Sequence, residues 1–306
     1  MNEKVCVCEV GPRDGLQMAG AIMPTELKKR WIAELAAAGM QEIEVGSFVP
    51  PKLVPQMADT AEIVRAALGI PGLRVTALAP NLKGAQLAYA AGAYGINIPV
   101  SASEAHSRSN TNKSTAEQVE EVRRIVEWVR AQERPMRIEP GCATAFGCAI
   151  DGVVPVEKVV RTCVGLAEAG VDAVALADTT GYANPAQVHA VIRAVRSAIG
   201  DRLSRLHMHD TMGLGLANVT AGLEEGIRCF DAALAGLGGC PFSPGASGNI
   251  VTEDTVFLLE SMGFDTGIDL DRLIAARATL QEGLPNEPMH GQVPRAGIPK
   301  TFRARQ

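Results

Sequence analysis

The stretch AVALADTTGYANPAQVHAVIRAVRSAIGDRLSRLHMHD, residues 173–210, predicts the fold because it contains a strand, a helix and a second strand. Residues 173–178 and 205–210 are short strand-like runs, and residues 185–199 have the apolar spacing of a helix. A helix that joins two such strands is the repeating unit of parallel α/β folds.

The same unit recurs along the whole chain. Helical patterns separate the strand-like runs; in residues 25–38, Leu27, Trp31 and Leu35 lie four positions apart and Gly39 marks the stop. The other helical patterns are 82–91, 116–131, 156–169 and 185–199. The eight strand-like runs are 5–10, 42–46, 74–79, 95–100, 136–140, 173–178, 205–210 and 229–236. Eight units predict the α/β class and a single (β/α)8 TIM barrel, with a doubly wound open sheet as the alternative.

About 70 residues follow the eighth run. Residues 256–262 and 270–284 have helical patterns, whereas the tail from Pro285 has four prolines and little apolar periodicity. We therefore expect one domain, 1–284, with a barrel and C-terminal helices, followed by an extended tail, 285–306, that wraps the surface or forms a lid.

Charge and composition exclude several classes of protein. The 306 residues include 34 acidic and 29 basic side chains, a formal charge of -5, which gives no general attraction to nucleic acid or to an anionic membrane. The N-terminal sequence MNEKVCVCEV lacks an apolar signal core, and no apolar run reaches about 18 residues. The seven cysteines are scattered and odd in number, as expected for reduced thiols. We expect a cytoplasmic protein.

Polar side chains lie at the ends of at least five predicted strands. In an α/β barrel the carboxyl ends of the strands form the active-site face, so these side chains should converge. The groups are Arg13-Asp14 after the first run, Glu44 in the second, Asp178 in the sixth, His207 and His209 in the seventh, and Asn249 after the eighth.

The sequence His207-Met208-His209 suggests a metal site. Residues i and i+2 of a strand point to the same side, so both imidazoles can reach one cation. Asp14 and Asn249 add oxygen ligands on the same rim, a set that suits Mg or Mn and would accept Co or Zn. The alternatives are two hydrogen-bonded core histidines, and Asp14 as a helix cap.

Arg13, Glu44 and Cys240 are further candidates for the chemistry. Arg13 can stabilise an oxyanion that develops during a reaction, or can simply pair with nearby carboxylates. Glu44 lies in an apolar strand, where a charge is costly unless paired, and we predict an Arg13–Glu44 pair. Cys240 lies in the glycine-rich stretch 236–249, which indicates a mobile loop or a close approach of backbone to ligand; alternatively it is a buried apolar residue.

These residues also carry a family resemblance. The chain resembles the 3-hydroxy-3-methylglutaryl-CoA lyases, of bacterial type, within the DRE-TIM metallolyases. The matching segments are EVGPRDGLQ (9–17), SFVPPKLVPQMADT (47–60), APNLKGAQLA (79–88), ADTTGYANP (177–185), HMHDTMGLGLANV (207–219) and GLGGCPFSPGASGNIVTEDTVFLLESMG (236–263). Together they run in order through most of the chain, and their joint occurrence is highly specific.

The resemblance implies a site, a cofactor and partners. It implies a divalent metal, an acyl-CoA substrate, a dimer or tetramer of identical chains, and a place in leucine degradation and ketone-body chemistry. The implied metal ligands are Asp14, His207, His209 and Asn249. The implied catalytic residues are Arg13 for the enolate, Glu44, Asp178 in the acid region, His207, and Cys240 of the flexible loop. The implied substrate-binding residues are Arg13, Gln17 and Glu44.

We therefore expect retro-Claisen cleavage of 3-hydroxy-3-methylglutaryl-CoA to acetyl-CoA and acetoacetate. Met18-Ala19 and His106 depart from the better-known lyases, which usually have Asn-Glu and a bulky apolar residue there, so a related thioester such as citramalyl-CoA or a methylmalyl-CoA is the alternative. An isopropylmalate or homocitrate synthase is disfavoured because Leu16 stands where those enzymes have Glu. A non-enzymatic binding barrel would leave the whole polar rim without a purpose.

Overall fold

The computed structural model describes residues 3–239 and 248–302, in which ten strands form one parallel sheet. The strands are β1 (Cys6–Glu9), β2 (Glu42–Ser47), β3 (Arg74–Leu78), β4 (Gly95–Asn97), β5 (Pro99–Ser101), β6 (Arg137–Ile138), β7 (Gly141–Ala143), β8 (Val174–Asp178), β9 (Leu203–Met208) and β10 (Cys229–Ala232). Each of the eight predicted runs overlaps a strand. The fourth run, 95–100, covers β4 and most of β5, whereas the fifth, 136–140, covers β6 alone, and β7 lies just beyond its predicted end.

The sheet closes into a barrel. Its order is β5-β7-β8-β9-β10-β1-β2-β3-β4-β6. The two ends of this order are β5 and β6. Only Ile98 separates β5 from β4, and only residues 139 and 140 separate β6 from β7, so the two ends of the sheet meet. The amide of Gly141 donates to the carbonyl of Ile98 at 3.0 Å across this seam. The predicted (β/α)8 TIM barrel is confirmed, and the open sheet is not observed.

Helices surround the barrel and bury its outer face. The helices are α1 (Leu16–Met18), α2 (Thr25–Ala37), α3 (Thr60–Ala67), α4 (Leu82–Ala91), α5 (Glu104–Thr111), α6 (Thr115–Arg130), α7 (Val156–Glu168), α8 (Pro185–Ile199), α9 (Gly215–Glu224), α10 (Thr252–Ser261), α11 (Leu270–Ala275), α12 (Arg277–Gly283) and α13 (Gln292–Ala296). In α2, Trp31 and Leu35 are fully buried, as the four-residue spacing predicts. None of the helices within the described ranges is both long and apolar enough to cross a membrane.

The C-terminal segment packs onto the loops that follow β1 and β10. The carboxylate of Asp254 accepts hydrogen bonds from the amides of Gln292 and Val293, which fixes α13 against α10. Glu287 accepts from the amide of Gly20 at 2.7 Å, and the amide of His290 donates to the carbonyl of Ala235 at 2.9 Å. The described part of this segment, which includes the helix α13, therefore packs beside these two loops, and the division into a domain 1–284 and a tail 285–306 stays a prediction.

Candidate active site and metal centre

The loop after β1 places Arg13 and Asp14 side by side. Residues Gly11–Gly15 form a wide helical turn with Pro12 near its start. The amides of Arg13 and Asp14 both donate to the carbonyl of Val10, at 3.0 and 2.7 Å, so the turn folds back on the strand end. Turns of this width are frequent at functional sites.

Asp14, His207 and His209 lie close enough to share one cation. His207 Nε2 lies 3.1 Å from His209 Nε2, and Asp14 Oδ2 lies 4.0 Å from His207 Nε2 and 3.7 Å from His209 Nε2. Their potential ligand atoms all fall within 4.8 Å of one another. His209 is only 5% exposed, so these nitrogens are shielded from bulk water.

Asn249 completes the group from the last loop of the barrel. Its backbone bridges to that of His209, and its Nδ2 donates to Asp14 Oδ2 at 2.7 Å and to the carbonyl of Leu237 at 3.1 Å. Gly238 has a φ of +130°, and a Cβ there would lie 2.6 Å from Asn249 Nδ2. Only glycine allows this close approach of backbone to the site.

The donor set fits a divalent cation. Asn249 Oδ1 and His209 Nδ1 are buried atoms without a hydrogen-bond partner among the described residues. Buried polar atoms normally have partners, so an unpaired amide oxygen beside two imidazoles and a carboxylate is consistent with metal ligation. Nitrogen and hard oxygen donors together suit a divalent cation.

Arg13 is bound on both sides by carboxylates. Its Nε donates to Glu44 Oε2 at 2.6 Å, and its Nη1 donates to Asp14 Oδ1. The pair predicted from the apolar strand around Glu44 is therefore present, and Glu44 is 2% exposed. Both contacts fix the plane of a guanidinium that lines the same cavity as the histidines.

Burial and neighbouring charges shift the pKa values of this cluster. Burial alone would raise the pKa of Asp14, but Arg13 and the two imidazoles hold it well below its ordinary value. Burial raises the pKa of Glu44 despite the opposing charge of Arg13. Burial alone would lower the pKa of His207, but the hydrogen bond to Asp231 and the charge of Asp14 raise it. Strongly perturbed groups around one cavity are typical of a catalytic centre.

The cavity above these groups has a volume of about 270 Å³. It is lined by candidate metal ligands and Arg13, and by Gln17, whose buried Oε1 has no hydrogen-bond partner among the described residues. Met18 and His106, which depart from the better-known lyases, line it too. The Nδ1 of His106 lies 2.7 Å from Ser101 Oγ, and burial lowers the pKa of this ring.

Asp178, another predicted site residue, does not line this cavity. Asp178 is fully buried, and its two carboxylate oxygens accept hydrogen bonds from the amides of Tyr182 and Ala183, at 3.1 and 3.0 Å. These contacts order the loop after β8, and its catalytic role stays a prediction. Cys240 lies outside the described residues.

Sequence reasoning missed Asp231 on β10. Its Oδ2 lies 3.1 Å from His207 Nδ1, and it is 2% exposed. The signal was available, because an aspartate within the short apolar strand CFDA is as costly to bury as the glutamate in EIEVG unless it has a partner.

Comparisons with known proteins find relatives over nearly the whole chain. The HMGL-like family model matches residues 4–280. The chain is 39% identical to a hydroxymethylglutaryl-CoA lyase of Bacillus subtilis over 280 residues, 92% of this chain and 93% of that protein. It is 41% identical to the (R)-citramalyl-CoA lyase of Chloroflexus aurantiacus over 305 residues, 96% of this chain and 95% of that protein.

A solved structure gives the same result for the fold. An HMG-CoA lyase from Acinetobacter baumannii, in complex with coenzyme A and 3-methylmalate, superposes with a TM-score of 0.90 at 39% identity, and the match covers 99% of this chain and 98% of that chain. Family model, relatives and fold thus agree along the chain: it belongs to the HMGL-like family, whose members include these carbon–carbon lyases.

Proposed function

We propose that the protein is a divalent-metal-dependent carbon–carbon lyase that cleaves 3-hydroxy-3-methylglutaryl-CoA to acetyl-CoA and acetoacetate. The observation that carries the proposal is the position of Arg13, which lies between Glu44 and Asp14 and lines the same cavity as His207 and His209. A cation site and a fixed guanidinium in one cavity suit a reaction that first ionises a hydroxyl group and then forms an enolate.

Asp14, His207, His209 and Asn249 would hold the metal. A bound divalent cation would orient the tertiary hydroxyl and distal carboxylate of the substrate and make that hydroxyl more acidic. Mg or Mn is the cation we propose, with Co or Zn as substitutes.

Arg13 would act on the thioester half of the substrate. Loss of the hydroxyl proton allows the C2–C3 bond to break, which forms the ketone of acetoacetate and passes the electron pair into the thioester enolate. The N–H groups of Arg13 would stabilise the enolate oxygen, with Glu44 holding the guanidinium in plane. Protonation at C2 then gives acetyl-CoA.

The proton transfers are assigned to residues that the family resemblance names. We propose Cys240 as the acid that protonates the enolate, on sequence grounds alone. His207 is the candidate that takes the hydroxyl proton, although an imidazole bound to metal is a poor base. Asp178 belongs to the acid region by resemblance, and its hydrogen bonds to backbone amides favour a supporting role there.

A citramalyl-CoA lyase is the second candidate. A relative of that name is 41% identical over 96% of this chain. Citramalyl-CoA is one methylene shorter between the tertiary carbon and the distal carboxylate, so the same groups could cleave it to acetyl-CoA and pyruvate. Met18 and His106 line the cavity, and we propose them as the residues that distinguish the two substrate lengths. Coenzyme A in the solved structure of a relative supports an acyl-CoA substrate here.

The decisive test compares the two thioesters on the same metal-loaded enzyme, because the ratio of kcat/KM measures discrimination directly. We expect acetyl-CoA from both, with the higher kcat/KM for 3-hydroxy-3-methylglutaryl-CoA. A tenfold preference for citramalyl-CoA, about 1.4 kcal/mol in transition-state binding, would replace the named substrate. No acetyl-CoA from either would overturn the lyase proposal. A cytoplasmic location and assembly of two or four chains stay predictions.

A further inference from the structure

Asp231 connects the candidate metal centre to the charged interior of the barrel. The pairing of β10 with β9 places Asp231 beside His207. Its Oδ2 lies 3.1 Å from His207 Nδ1, and its Oδ1 accepts a hydrogen bond from Arg205 Nη1 at 2.7 Å. Both carboxylate oxygens are thus engaged by different partners.

Arg205 is itself held in place by two further carboxylates, those of Glu42 and Glu139. It precedes His207 by two positions on β9, so both side chains point into the barrel. Its Nη2 donates to Glu42 Oε1 at 2.5 Å, and its Nε donates to Glu139 Oε1 at 3.3 Å. Arg205 is 7% exposed, and moving its guanidinium would break its ion pairs with three buried carboxylates, those of Glu42, Glu139 and Asp231. Arg205 therefore holds Asp231 in one position.

The contact with Asp231 determines which ring nitrogen of His207 carries the hydrogen. An ionised carboxylate only accepts hydrogen bonds, so the Nδ1 of His207 must carry the hydrogen. The neutral ring then has its lone pair on Nε2, the atom that lies 3.1 Å from His209 Nε2 and 4.0 Å from Asp14 Oδ2. That nitrogen faces the other candidate ligands.

We propose that Asp231, held by Arg205, is a positioning residue that selects the tautomer and ring orientation in which His207 binds the metal. The inference rests on the metal site of the proposed function. It assigns Asp231 no contact with substrate. Carboxylates that orient ligating histidines contribute about 10–100-fold to metal affinity.

Asp231→Asn tests this role because the amide cannot serve both neighbours. If its oxygen faces His207, its NH2 group faces the N–H groups of Arg205, and two donors oppose each other. If its NH2 group faces His207, Nδ1 must accept, and the hydrogen moves to Nε2, where it blocks metal binding. Both arrangements weaken the site with almost no change in side-chain volume.

The measurement is Mn²⁺ affinity by titration calorimetry, which does not depend on turnover. We expect Asp231→Asn to weaken Mn²⁺ binding by about 10–100-fold. The control is Glu139→Gln, which removes a charge from the same buried cluster while leaving both Asp231 contacts in place, and it should change the affinity less than about threefold. Equal affinities of wild type and Asp231→Asn would overturn the inference alone. A wild type that binds no divalent cation would overturn the proposed function as well.

A second measurement needs no folded variant at position 231. The chain has five histidines, so ¹⁵N spectra of histidine-labelled, metal-free wild type at alkaline pH are simple to assign by comparison with His207→Ala. We expect the hydrogen of His207 on Nδ1. Observation of the Nε2–H tautomer would overturn the inference even if Asp231→Asn does not fold.

Discussion

Asn249 Nδ2 lies 2.7 Å from Asp14 Oδ2, although the two residues are 235 positions apart in the chain. The contact joins the first and last loops of the barrel and brings two candidate oxygen ligands together. Rotation of the amide exchanges its nitrogen and oxygen, so Asn249 can present the unpaired Oδ1 to a cation. The hydrogen bond therefore places the amide where a metal ligand is needed.

Asn249→Asp should lower the Tm of the metal-free protein and increase the rise in Tm that Mn²⁺ produces. Two carboxylates at the position of this hydrogen bond repel each other, and loss of a buried hydrogen bond costs about 1–3 kcal/mol. We expect the Tm of the metal-free variant to fall by a few degrees, and the rise in Tm on adding Mn²⁺ to exceed that of the wild type. Asn249→Ala, which removes the ligand without adding charge, should show a smaller rise than the wild type. Identical Mn²⁺ responses in all three proteins would contradict a ligand role.

Arg13→Lys should lower kcat much more than it raises KM. Lysine keeps the charge but cannot donate to Glu44 and Asp14 from one planar group, and the charge that Arg13 meets develops mainly in the enolate. Loss of one such donor typically lowers kcat by about 10²–10³-fold. Steady-state kinetics at saturating Mn²⁺ measure the effect.

Arg74→Lys is the matched control for this variant. Arg74 pairs with Glu42 at the opposite end of the barrel, so its replacement should leave kcat almost unchanged. Arg13→Met removes the charge as well and should be at least as impaired as Arg13→Lys. A near-normal kcat for Arg13→Met would exclude the enolate role.

Glu9 should make stability depend on pH. It is fully buried at the end of β1, where it accepts hydrogen bonds from the amides of Gly11 and Leu234 and from Thr252 Oγ1. Burial raises the pKa of Glu9 to about 8. Because this pKa is higher in the folded than in the unfolded chain, the stabilisation is complete below about pH 4 and is lost as the pH rises through about 8.

Glu9→Gln removes this titration while keeping an oxygen acceptor. We expect the Tm of the wild type to fall between about pH 5 and pH 9 by more than the Tm of Glu9→Gln. Other titrating groups act equally on both proteins, so the difference isolates residue 9. Parallel Tm curves over that range would show that Glu9 does not take up a proton on folding.

Much of the barrel could be predicted from the sequence, since strand and helix periodicities differ along α/β units. The bounds of α4 and α8 agree with the predicted 82–91 and 185–199. Helix α9 was not predicted because its glycines, such as Gly215 and Gly222, obscure the apolar period. In the fold these glycines allow close packing, since a Cβ added at Gly222 would lie 2.5 Å from the Leu206 side chain. The division of the fifth strand at Pro140 also follows from three-dimensional closure.

Part of the candidate site could also be predicted from the sequence, and part of it could not. The Arg13–Glu44 pair was predictable because a lone charge in an apolar strand requires a partner. Asp231 is also a charge in a short apolar strand and therefore requires a partner as well. Its partners, His207 and Arg205, lie on a neighbouring strand, and the register between the two strands is known only from the folded barrel. The position of Asn249 next to Asp14 likewise depends on barrel closure rather than on local pattern.

The most direct test of the central claim is acetyl-CoA formation from 3-hydroxy-3-methylglutaryl-CoA during a Mn²⁺ titration of chelator-treated protein. We expect negligible activity without metal and full recovery at one Mn²⁺ per chain. His209→Ala, which loses one candidate ligand, should need far more Mn²⁺ and recover only in part, whereas His189→Ala on α8, which contacts Glu225, should behave as the wild type. Full activity of the wild type in excess chelator would contradict the account.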